Sequence, residues 1–300
     1  MRAIVINAYG GPEVLEQVTL APPIPASGET LVRIHAIAVN PADTKWRAGM
    51  FAGFAPVPFP HVLGYDIAGI VIGGDGWAPG TRVFGMLDPI TKGGYAEQVT
   101  IASALLAEIP ASLDYPAAAA IPTAGLTGLQ MIEDALDVRS GQRILITGAP
   151  GAVGRVALHT AQRRGATVIA AVRSAQRDEA LALGANEAII LEDGAFTGAP
   201  FDHVVDTVGG QAVGRLCRHL KGGGRIVTAA TTSIPADGLP ASPEFFAVRA
   251  DAAQLARLAA EVTGGAIAMR VAHVMPLANA AEAHRLIEVG RVRGKIILQP

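Results

Sequence analysis

Arg143-Ile-Leu-Ile-Thr147-Gly148-Ala-Pro-Gly151-Ala152-Val153-Gly154 is the stretch of sequence that decides the fold. Its first five residues are typical of a buried strand, its glycines of a tight turn, and a helical pattern follows. A second apolar strand is predicted over residues 167–172. Strand, glycine loop, helix and strand within about 30 residues are the layout of a dinucleotide-binding unit.

The glycine loop itself predicts a site for a pyrophosphate. Glycines let the backbone approach the ligand closely, and a helix N-terminus offers unpaired N–H groups and the positive end of its dipole. The alternative is a strand-to-helix turn with no ligand. We expect the cofactor to contact the five loop residues Gly148, Gly151, Ala152, Val153 and Gly154.

The end of the second strand indicates which dinucleotide binds. An NAD site usually has Asp or Glu there, about 20 residues past the loop, to accept a hydrogen bond from the ribose 2′-OH. This chain reads Val172-Arg173-Ser174-Ala175-Gln176-Arg177 and has no carboxylate before Asp178. Because guanidinium groups pair with phosphate through a planar fork, we predict NADPH, bound by Arg173, Ser174 and Arg177. The alternative is two solvated arginines at the start of a surface helix.

Composition excludes several classes of function. The 300 residues are 50% hydrophobic and carry a net charge of −2 without basic or acidic runs, so neither nucleic acid nor a membrane surface is an expected partner. No apolar stretch reaches about 18 residues, so no transmembrane helix is predicted. The chain starts directly as a strand, with no signal-peptide pattern. Cys217 is the only cysteine, and a cytoplasmic location is therefore expected.

The pattern of secondary structure changes partway along the chain. Up to about residue 110 it predicts short strands rich in Val and Ile, separated by glycine turns. From about residue 117, helical stretches alternate with apolar strands, which predicts a parallel sheet covered by helices on both faces. The fold class is therefore α/β, with a mainly β domain followed by a doubly wound sheet. Residues 51–61, rich in proline and aromatics, predict an ordered loop.

Blocks along the whole chain resemble one family, the medium-chain dehydrogenase/reductases, in their zinc-independent quinone oxidoreductase (zeta-crystallin-like) branch. Each block is weak alone, but their order and spacing are specific. They are Ala8-Tyr-Gly-Gly-Pro-Glu-Val-Leu15, Val39-Asn-Pro-Ala-Asp-Thr-Lys-Trp-Arg-Ala-Gly49, Leu63-Gly-Tyr-Asp-Ile-Ala-Gly69, Gly93-Gly-Tyr-Ala-Glu97, Ile121-Pro-Thr-Ala-Gly-Leu-Thr127, the Gly148 loop, Asp206-Thr-Val-Gly209 and Gly294-Lys-Ile-Ile-Leu298.

The resemblance implies two domains. Residues 1–113 and 246–300 would form a GroES-like, mainly β catalytic domain, and residues 114–245 a Rossmann NADPH-binding domain with a doubly wound parallel sheet. Family members often pair through an edge strand of the Rossmann sheet. Residues 245–248 form a short apolar run suited to such an edge, so a homodimer is a further expectation.

The resemblance also bears on metal. Zinc-dependent members have Cys, His and Cys where this chain has Asn40, Tyr65 and Thr123. Amide, phenol and hydroxyl groups are poor replacements for thiolate and imidazole at zinc. The lobe of closely spaced cysteines that holds structural zinc in relatives is missing too, so we predict no bound metal.

Without a Lewis acid, nothing lowers the pKa of an alcohol, and reduction of a conjugated acceptor becomes the easier reaction. We therefore predict a metal-independent reductase that transfers hydride from NADPH to quinones or related α,β-unsaturated carbonyls. One alternative is an enoyl-thioester reductase of the same fold, which would need a basic patch that the first domain lacks. Another is a non-catalytic NADPH-binding sensor or structural protein.

The family's site residues carry over to a few positions. Asn40 matches the asparagine beside nicotinamide and substrate, and Tyr65 could donate to the oxyanion. Thr127 matches a residue that touches the cofactor near the nicotinamide. The plainer alternatives are a turn-forming Asn, a packed aromatic and a helix-face threonine. Three weaker cofactor contacts are Val208, Phe246 and Lys295.

Asp43 and Arg47 lie four residues apart in a segment expected to be helical. This spacing predicts an ion pair on one helix face, with a structural role.

Overall fold

The computed structural model describes residues 1–193 and 196–300. They divide into two compact units. One, the β unit, comprises Met1–Thr123 and Ala250–Pro300; the other, the Rossmann unit, comprises Ala124–Arg249. No helix among the described residues is long and apolar enough to cross a membrane.

The strands follow in chain order: β1 Arg2–Ile6, β2 Glu16–Thr19, β3 Glu29–Val39, β4 His61–Val62, β5 Asp66–Gly74, β6 Arg82–Met86, β7 Gln98–Ala102, β8 Leu106–Glu108, β9 Arg143–Thr147, β10 Thr167–Val172, β11 Glu187–Ile190, β12 Phe201–Asp206, β13 Leu220–Thr228, β14 Pro243–Phe245, β15 Val271–Pro276 and β16 Lys295–Gln299. The α-helices are α1 Pro41–Arg47, α2 Tyr115–Ala119, α3 Pro122–Gln130, α4 Ala152–Arg163, α5 Arg177–Ala182, α6 Gly210–Cys217, α7 Ala252–Thr263 and α8 Ala280–Val289.

The β unit is built on a seven-stranded sheet of order β15-β16-β3-β5-β6-β8, with β7 also pairing β3. Strand β15 runs parallel to β16, and the other pairs are antiparallel. A smaller antiparallel sheet has the order β2-β1-β4. Buried and open side chains alternate in the first part of β3, and its last four residues, Ala36 to Val39, are all buried. Both faces of this central strand are therefore buried near Asn40.

Three neighbouring strands bring polar residues to one end of this sheet. Strand β3 stops just before Asn40, β5 starts at Asp66 and β16 starts at Lys295. The register pairs Ala38 with Asp66 and Val39 with Ile296. Residues far apart in the chain are therefore neighbours here.

The Rossmann unit contains a six-stranded sheet of order β11-β10-β9-β12-β13-β14, all parallel. Successive residues of its central strands enter two different cores. Ile144 and Ile146 of β9 lie in one core with residues of α4, whereas Leu145 lies in the other with residues of α6. Burial on both faces requires the continuous apolar runs seen in the sequence. The predicted doubly wound parallel sheet is confirmed.

The edge strand differs from the prediction. The apolar run 245–248 was expected to form it, but β14 comprises Pro243–Phe245 and ends where that run begins. An ion pair between Arg225 of β13 and Glu244 of β14 joins the two strands, with Arg225 Nε 3.0 Å from Glu244 Oε1. The apolar pattern alone therefore misplaced this strand, whose pairing with β13 ends at Phe245.

Candidate active site

The glycine loop begins where β9 ends. Gly148 has a φ of +63°, a conformation open to glycine at little cost. The Gly151 N–H donates to Gly148 O at 2.8 Å, and α4 begins at the next residue. Gly151 is the N-cap of α4 and supplies no side-chain oxygen, so the first-turn N–H groups face no capping group. This arrangement suits an anion.

The loop also needs glycine for close packing. A Cβ on Gly154 would lie 2.3 Å from Gly148 O, and one on Gly148 would lie 2.5 Å from Thr207 Oγ1. Helix α4 could not approach the loop so closely with any larger residue at position 154.

Two charged residues to which the sequence analysis gave no role in the site hold this region. Arg155, directly after Gly154, donates from Nη2 to Pro150 O at 2.6 Å and pairs with Glu179. In the sequence, its position directly after the last glycine of the loop is only a weak indication of this role. The buried Asp206 is more informative, since an acid closing an apolar strand is unusual.

Asp206 ties together the carboxyl ends of three strands. Its carboxylate accepts from Thr147 Oγ1 of β9 and from Thr228 Oγ1 of β13, both at 2.6 Å. It also accepts from the N–H groups of Val208 and Gly209 at 3.0 Å. The loop after β12 is thereby fixed beside the glycine loop.

The predicted phosphate-binding residues follow β10 directly. The guanidinium groups of Arg173 and Arg177 are exposed and make no hydrogen bond or ion pair within residues 1–193 and 196–300. Ser174 between them is exposed too, and Asp178 is the first carboxylate after the strand. Two guanidinium groups that have no partner among the described residues suit a phosphate at the end of β10.

The structure brings most of the predicted cofactor residues to one edge of the Rossmann sheet. Gly148, Arg173, Val208 and Phe246 follow the carboxyl ends of β9, β10, β12 and β14. Ligands of open α/β sheets bind at this edge. Thr127 lies buried on α3, and the adjacent Gly128 lets α3 pass close to α4, since a Cβ there would lie 2.5 Å from Val153 O.

A second polar cluster lies in the β unit at the strand ends described above. Lys295 Nζ donates to Asn40 Oδ1 at 2.5 Å and lies 3.8 Å from Asp66 Oδ2. Asn40 Nδ2 donates to Asp66 Oδ2 at 3.0 Å. Asp66 Oδ1 accepts from the N–H and hydroxyl of Thr123 at 2.9 and 2.5 Å. An ammonium, an amide and a carboxylate are thus joined in a buried network.

The orientation of the Asn40 amide follows from its neighbours. An ammonium only donates and a carboxylate only accepts, so the amide oxygen must face Lys295 and the nitrogen Asp66. The second amide hydrogen goes to Ala38 O at 3.4 Å. To contact a substrate carbonyl, as the family resemblance implies, Asn40 would have to give up the long bond to Ala38.

Tyr65 is the more available donor in the β unit. Its hydroxyl accepts from Trp46 Nε1, while its own hydrogen has no acceptor among the residues that the structure describes. Burial, and then the charge of Asp43, raises the pKa of Tyr65 well above its usual value. The phenol is therefore neutral at pH 7 and free to donate a hydrogen bond.

The predicted ion pair between Asp43 and Arg47 is wrong. Asp43 Oδ2 instead accepts from the Asn40 N–H at 2.7 Å, which caps α1. Arg47 Nη1 points to His284 Nδ1 of α8 at 3.3 Å, and Nη2 pairs with Glu288. Because α1 packs against α8, Arg47 pairs with residues of α8 and not with Asp43 of its own helix.

Burial dominates the electrostatics of this cluster. It raises the pKa of Asp43 to about 7 and raises that of Asp66, although nearby Lys295 opposes the latter effect. Burial lowers the pKa of Lys295, against the attraction of Asp66 and Asp43. Each charged form is thus less stable than in water, and the charges depend on one another.

Among the described residues, no group of three or more His, Cys, Asp or Glu side chains is arranged to hold a metal ion. Asn40, Tyr65 and Thr123 stand where zinc-dependent relatives have ligands. The side-chain oxygens of these three residues form hydrogen bonds with Lys295, Trp46 and Asp66, respectively. This donor set does not fit zinc.

Two protein-family models match the chain. One is described as an alcohol dehydrogenase GroES-like domain and matches residues 26–111. The other is described as a zinc-binding dehydrogenase and matches residues 183–298.

Two curated proteins show the range of relatives. The 2-methylene-furan-3-one reductase of Solanum lycopersicum is 32% identical, across 100% of this chain and 79% of that protein. The quinone oxidoreductase of Pongo abelii is 35% identical, but that match covers 56% of this chain and 52% of that protein. The chain thus aligns with about half the length of the second relative and most of the first.

Solved structures match both units. The quinone oxidoreductase of Escherichia coli complexed with NADPH has a TM-score of 0.88 and 26% identity, with 100% of each chain covered. A structure described as an NAD-dependent alcohol dehydrogenase has a TM-score of 0.88 and 33% identity, again with 100% of each chain covered. Because these two differ in the dinucleotide named, cofactor preference must be argued from the residues of this chain.

Proposed function

The chain belongs to the medium-chain dehydrogenase/reductase family, in its quinone oxidoreductase branch, and from this premise we propose an NADPH-dependent, metal-independent reductase of quinones or related α,β-unsaturated carbonyls. The family is one of oxidoreductase enzymes, and relatives are named quinone oxidoreductase and 2-methylene-furan-3-one reductase. The acceptors implied by those two names share a conjugated carbonyl.

The observation that carries the proposal is the phosphate-binding edge of the Rossmann unit. A Cβ at Gly148 or Gly154 would fill the cradle, and the first turn of α4 is uncapped. The exposed Arg173 and Arg177 have no partner in the described chain and stand where NAD enzymes place a carboxylate. These residues fit NADPH, which would supply the hydride when bound.

On the acceptor side, we propose that Tyr65 donates a hydrogen bond to the oxygen that gains negative charge. A neutral phenol held by Trp46 is already oriented, so no reorganisation is needed as charge develops. Asn40 is proposed to act beside it, either directly or by holding Lys295.

The shape of the acceptor follows from a neighbouring aromatic loop. The Phe51 ring lies 5.0 Å from that of Trp46 and 5.7 Å from that of Phe54. Phe54 is 77% exposed, so its face is free for contact. We propose that this loop forms an apolar wall and favours flat acceptors over hydroxylated ones.

The test is NADPH consumption with a panel of acceptors. It should contain 1,4-benzoquinone, an ortho-quinone, a 2-alkenal and an enoyl-CoA, and ethanol oxidation with NADP⁺ should be assayed separately as a test of alcohol dehydrogenase activity. Turnover of quinones or the alkenal supports the proposal. Turnover of the thioester alone would instead indicate an enoyl-thioester reductase, and no turnover of any would indicate a binding protein.

A homodimer is proposed through the edge strand β14. Phe245 is 59% exposed there, and a bare strand edge with an apolar side chain favours pairing with a second copy. Mass measurement in solution tests this, and a monomer at micromolar concentration contradicts it.

A further inference from the structure

Among the residues that the structure describes, Lys295 makes fewer hydrogen bonds than its ammonium group allows. An ammonium has three hydrogens, and one goes to Asn40 Oδ1. The 3.8 Å to Asp66 Oδ2 is an ion pair that exceeds hydrogen-bond length. Yet the residue is only 5% exposed, so bulk water does not fully solvate the remaining hydrogens. A buried ammonium group whose remaining hydrogens have no partner among the described residues is suited to an anionic ligand group.

We propose that Lys295 is a catalytic residue, the acid that protonates the oxyanion formed when the acceptor takes up hydride. This rests on the function proposed above. With a quinone, hydride uptake gives the hydroquinone monoanion. An N–H bond of the ammonium then breaks as the O–H bond of the neutral hydroquinone forms. The neutral amine regains its proton from water. With an enone, the same proton goes to the enolate oxygen.

The surrounding residues hold Lys295 for this task. Asn40 fixes one ammonium hydrogen, and Asp66 supplies the opposite charge. Thr123 in turn holds Asp66 through two hydrogen bonds. Asp43 is the other carboxyl whose charge acts on Lys295. The ammonium is therefore held at the strand ends that also carry Tyr65.

Lys295 and Tyr65 would divide the work. Burial raises the pKa of Tyr65 and makes it a poor proton donor, although it can still donate a hydrogen bond. Burial lowers the pKa of Lys295, which makes its ammonium a stronger acid than a solvated lysine. Acid catalysis improves as the pKa of the donor approaches the operating pH.

The decisive variant removes both charges together. Lys295→Met alone would leave Asp66 as an uncompensated buried charge, which destabilises a protein whatever the residue does in catalysis. Lys295→Met/Asp66→Asn keeps the cluster neutral. Lys221→Met/Asp202→Asn is the matched control, because it removes a partly exposed pair of the same residue types, 2.7 Å apart, in the Rossmann unit.

We expect the Lys295→Met/Asp66→Asn variant to unfold within a few degrees of the wild type and to lose about 100-fold or more in kcat, a range typical of a lost general acid. The control pair should keep wild-type kcat. If the double variant folds and turns over at the wild-type rate, Lys295 has only a structural role and the proposal is overturned.

A second readout does not depend on turnover. 4-Nitrophenol resembles the hydroquinone monoanion, and its absorbance reports its ionisation. With NADP⁺ present, the wild type should bind it as the phenolate and lower its apparent pKa, and the double variant should not. Identical titrations in both proteins overturn the proposal. A shift that depends on Lys295, in a protein that reduces no acceptor, would defeat the proposed function but support Lys295 as an oxyanion site.

Discussion

Lys295 donates a hydrogen bond to Asn40 across 255 positions of the chain, linking the first residue of the last strand to the residue that follows β3. The two strands are antiparallel neighbours, so the end of β3 and the start of β16 meet at one end of the sheet. This contact orients the Asn40 amide and places a buried cation next to Asp66. The proposed acid chemistry of the β unit depends on it.

Arg173→Ala should weaken NADPH binding and leave NADH binding almost unchanged. A charge-assisted hydrogen bond contributes about 1.5–3 kcal/mol, so loss of one partly exposed contact should cost about 10-fold in Kd for NADPH. Arg218→Ala, an exposed arginine on the same unit, serves as the control. Fluorescence titration of both cofactors measures the effect. Equal weakening for NADH and NADPH would mean that Arg173 supports the fold and does not read the 2′-phosphate.

Gly154→Ala should disrupt the dinucleotide site. The added Cβ would lie 2.3 Å from Gly148 O, so the loop or α4 must move. Overpacking of this kind costs about 1–3 kcal/mol of stability, and loss of the loop geometry should abolish tight binding of either dinucleotide. Gly222→Ala is the matched control, since nothing lies within 4 Å of its added Cβ. Unchanged Kd values in the Gly154→Ala variant would contradict the assignment of the loop.

His284→Gln should remove one of two opposing contributions to the pH dependence of stability on the acid side. Burial, and then Arg47, lowers the pKa of His284 to about 3 from its ordinary value of 6.5. Between those values the unfolded chain binds a proton that the folded protein does not, so stability falls as pH falls, by at most about 1.4 kcal/mol per pH unit. Denaturant unfolding at several pH values measures the slope.

The pKa shift of Asp43 changes stability with pH in the opposite direction and provides a reference for this experiment. Its folded pKa is raised to about 7 from 3.8, so its contribution to stability falls as pH rises between those values. The His284→Gln variant keeps Asp43 and should therefore lose stability more steeply than the wild type as pH rises through this range. The same net slope in both proteins would show that His284 does not titrate as described.

The purified protein should contain no stoichiometric zinc, and chelators should leave its activity unchanged. The reason is the donor set, because Asn40, Tyr65 and Thr123 offer no thiolate or imidazole where zinc-dependent relatives have them. Elemental analysis before and after dialysis against a chelator measures this. Zinc at one ion per chain, lost together with activity, would contradict the prediction.

Periodicity predicted the fold well wherever local pattern decides it. The apolar runs of β9 and β10 mark strands buried on both faces, and the glycine loop marks the turn between β9 and α4. Local signals also placed the two arginines after β10. The short edge strand β14 was misplaced because the apolar run extends past Phe245, whereas the pairing with β13 ends there.

The polar cluster of the β unit could not be predicted in this way. Its members come from positions 40, 66, 123 and 295, and only the sheet register brings them together. For the same reason, the spacing of Asp43 and Arg47 wrongly predicted an ion pair between them, because Arg47 instead contacts residues of α8. Family resemblance named Asn40, Tyr65 and Lys295, but the partners that define their chemistry became visible only in three dimensions.

The most direct test of the central claim is to follow the hydride itself. NADPH carrying deuterium at the transferred C4 position is mixed with the protein and a 2-alkenal, and the product is analysed by mass spectrometry. We expect a saturated aldehyde with one deuterium at the β-carbon, and a much slower reaction with NADH. A product without deuterium, an allylic alcohol deuterated at the carbonyl carbon, or equal rates with both cofactors would contradict an NADPH-dependent reductase of conjugated carbonyls.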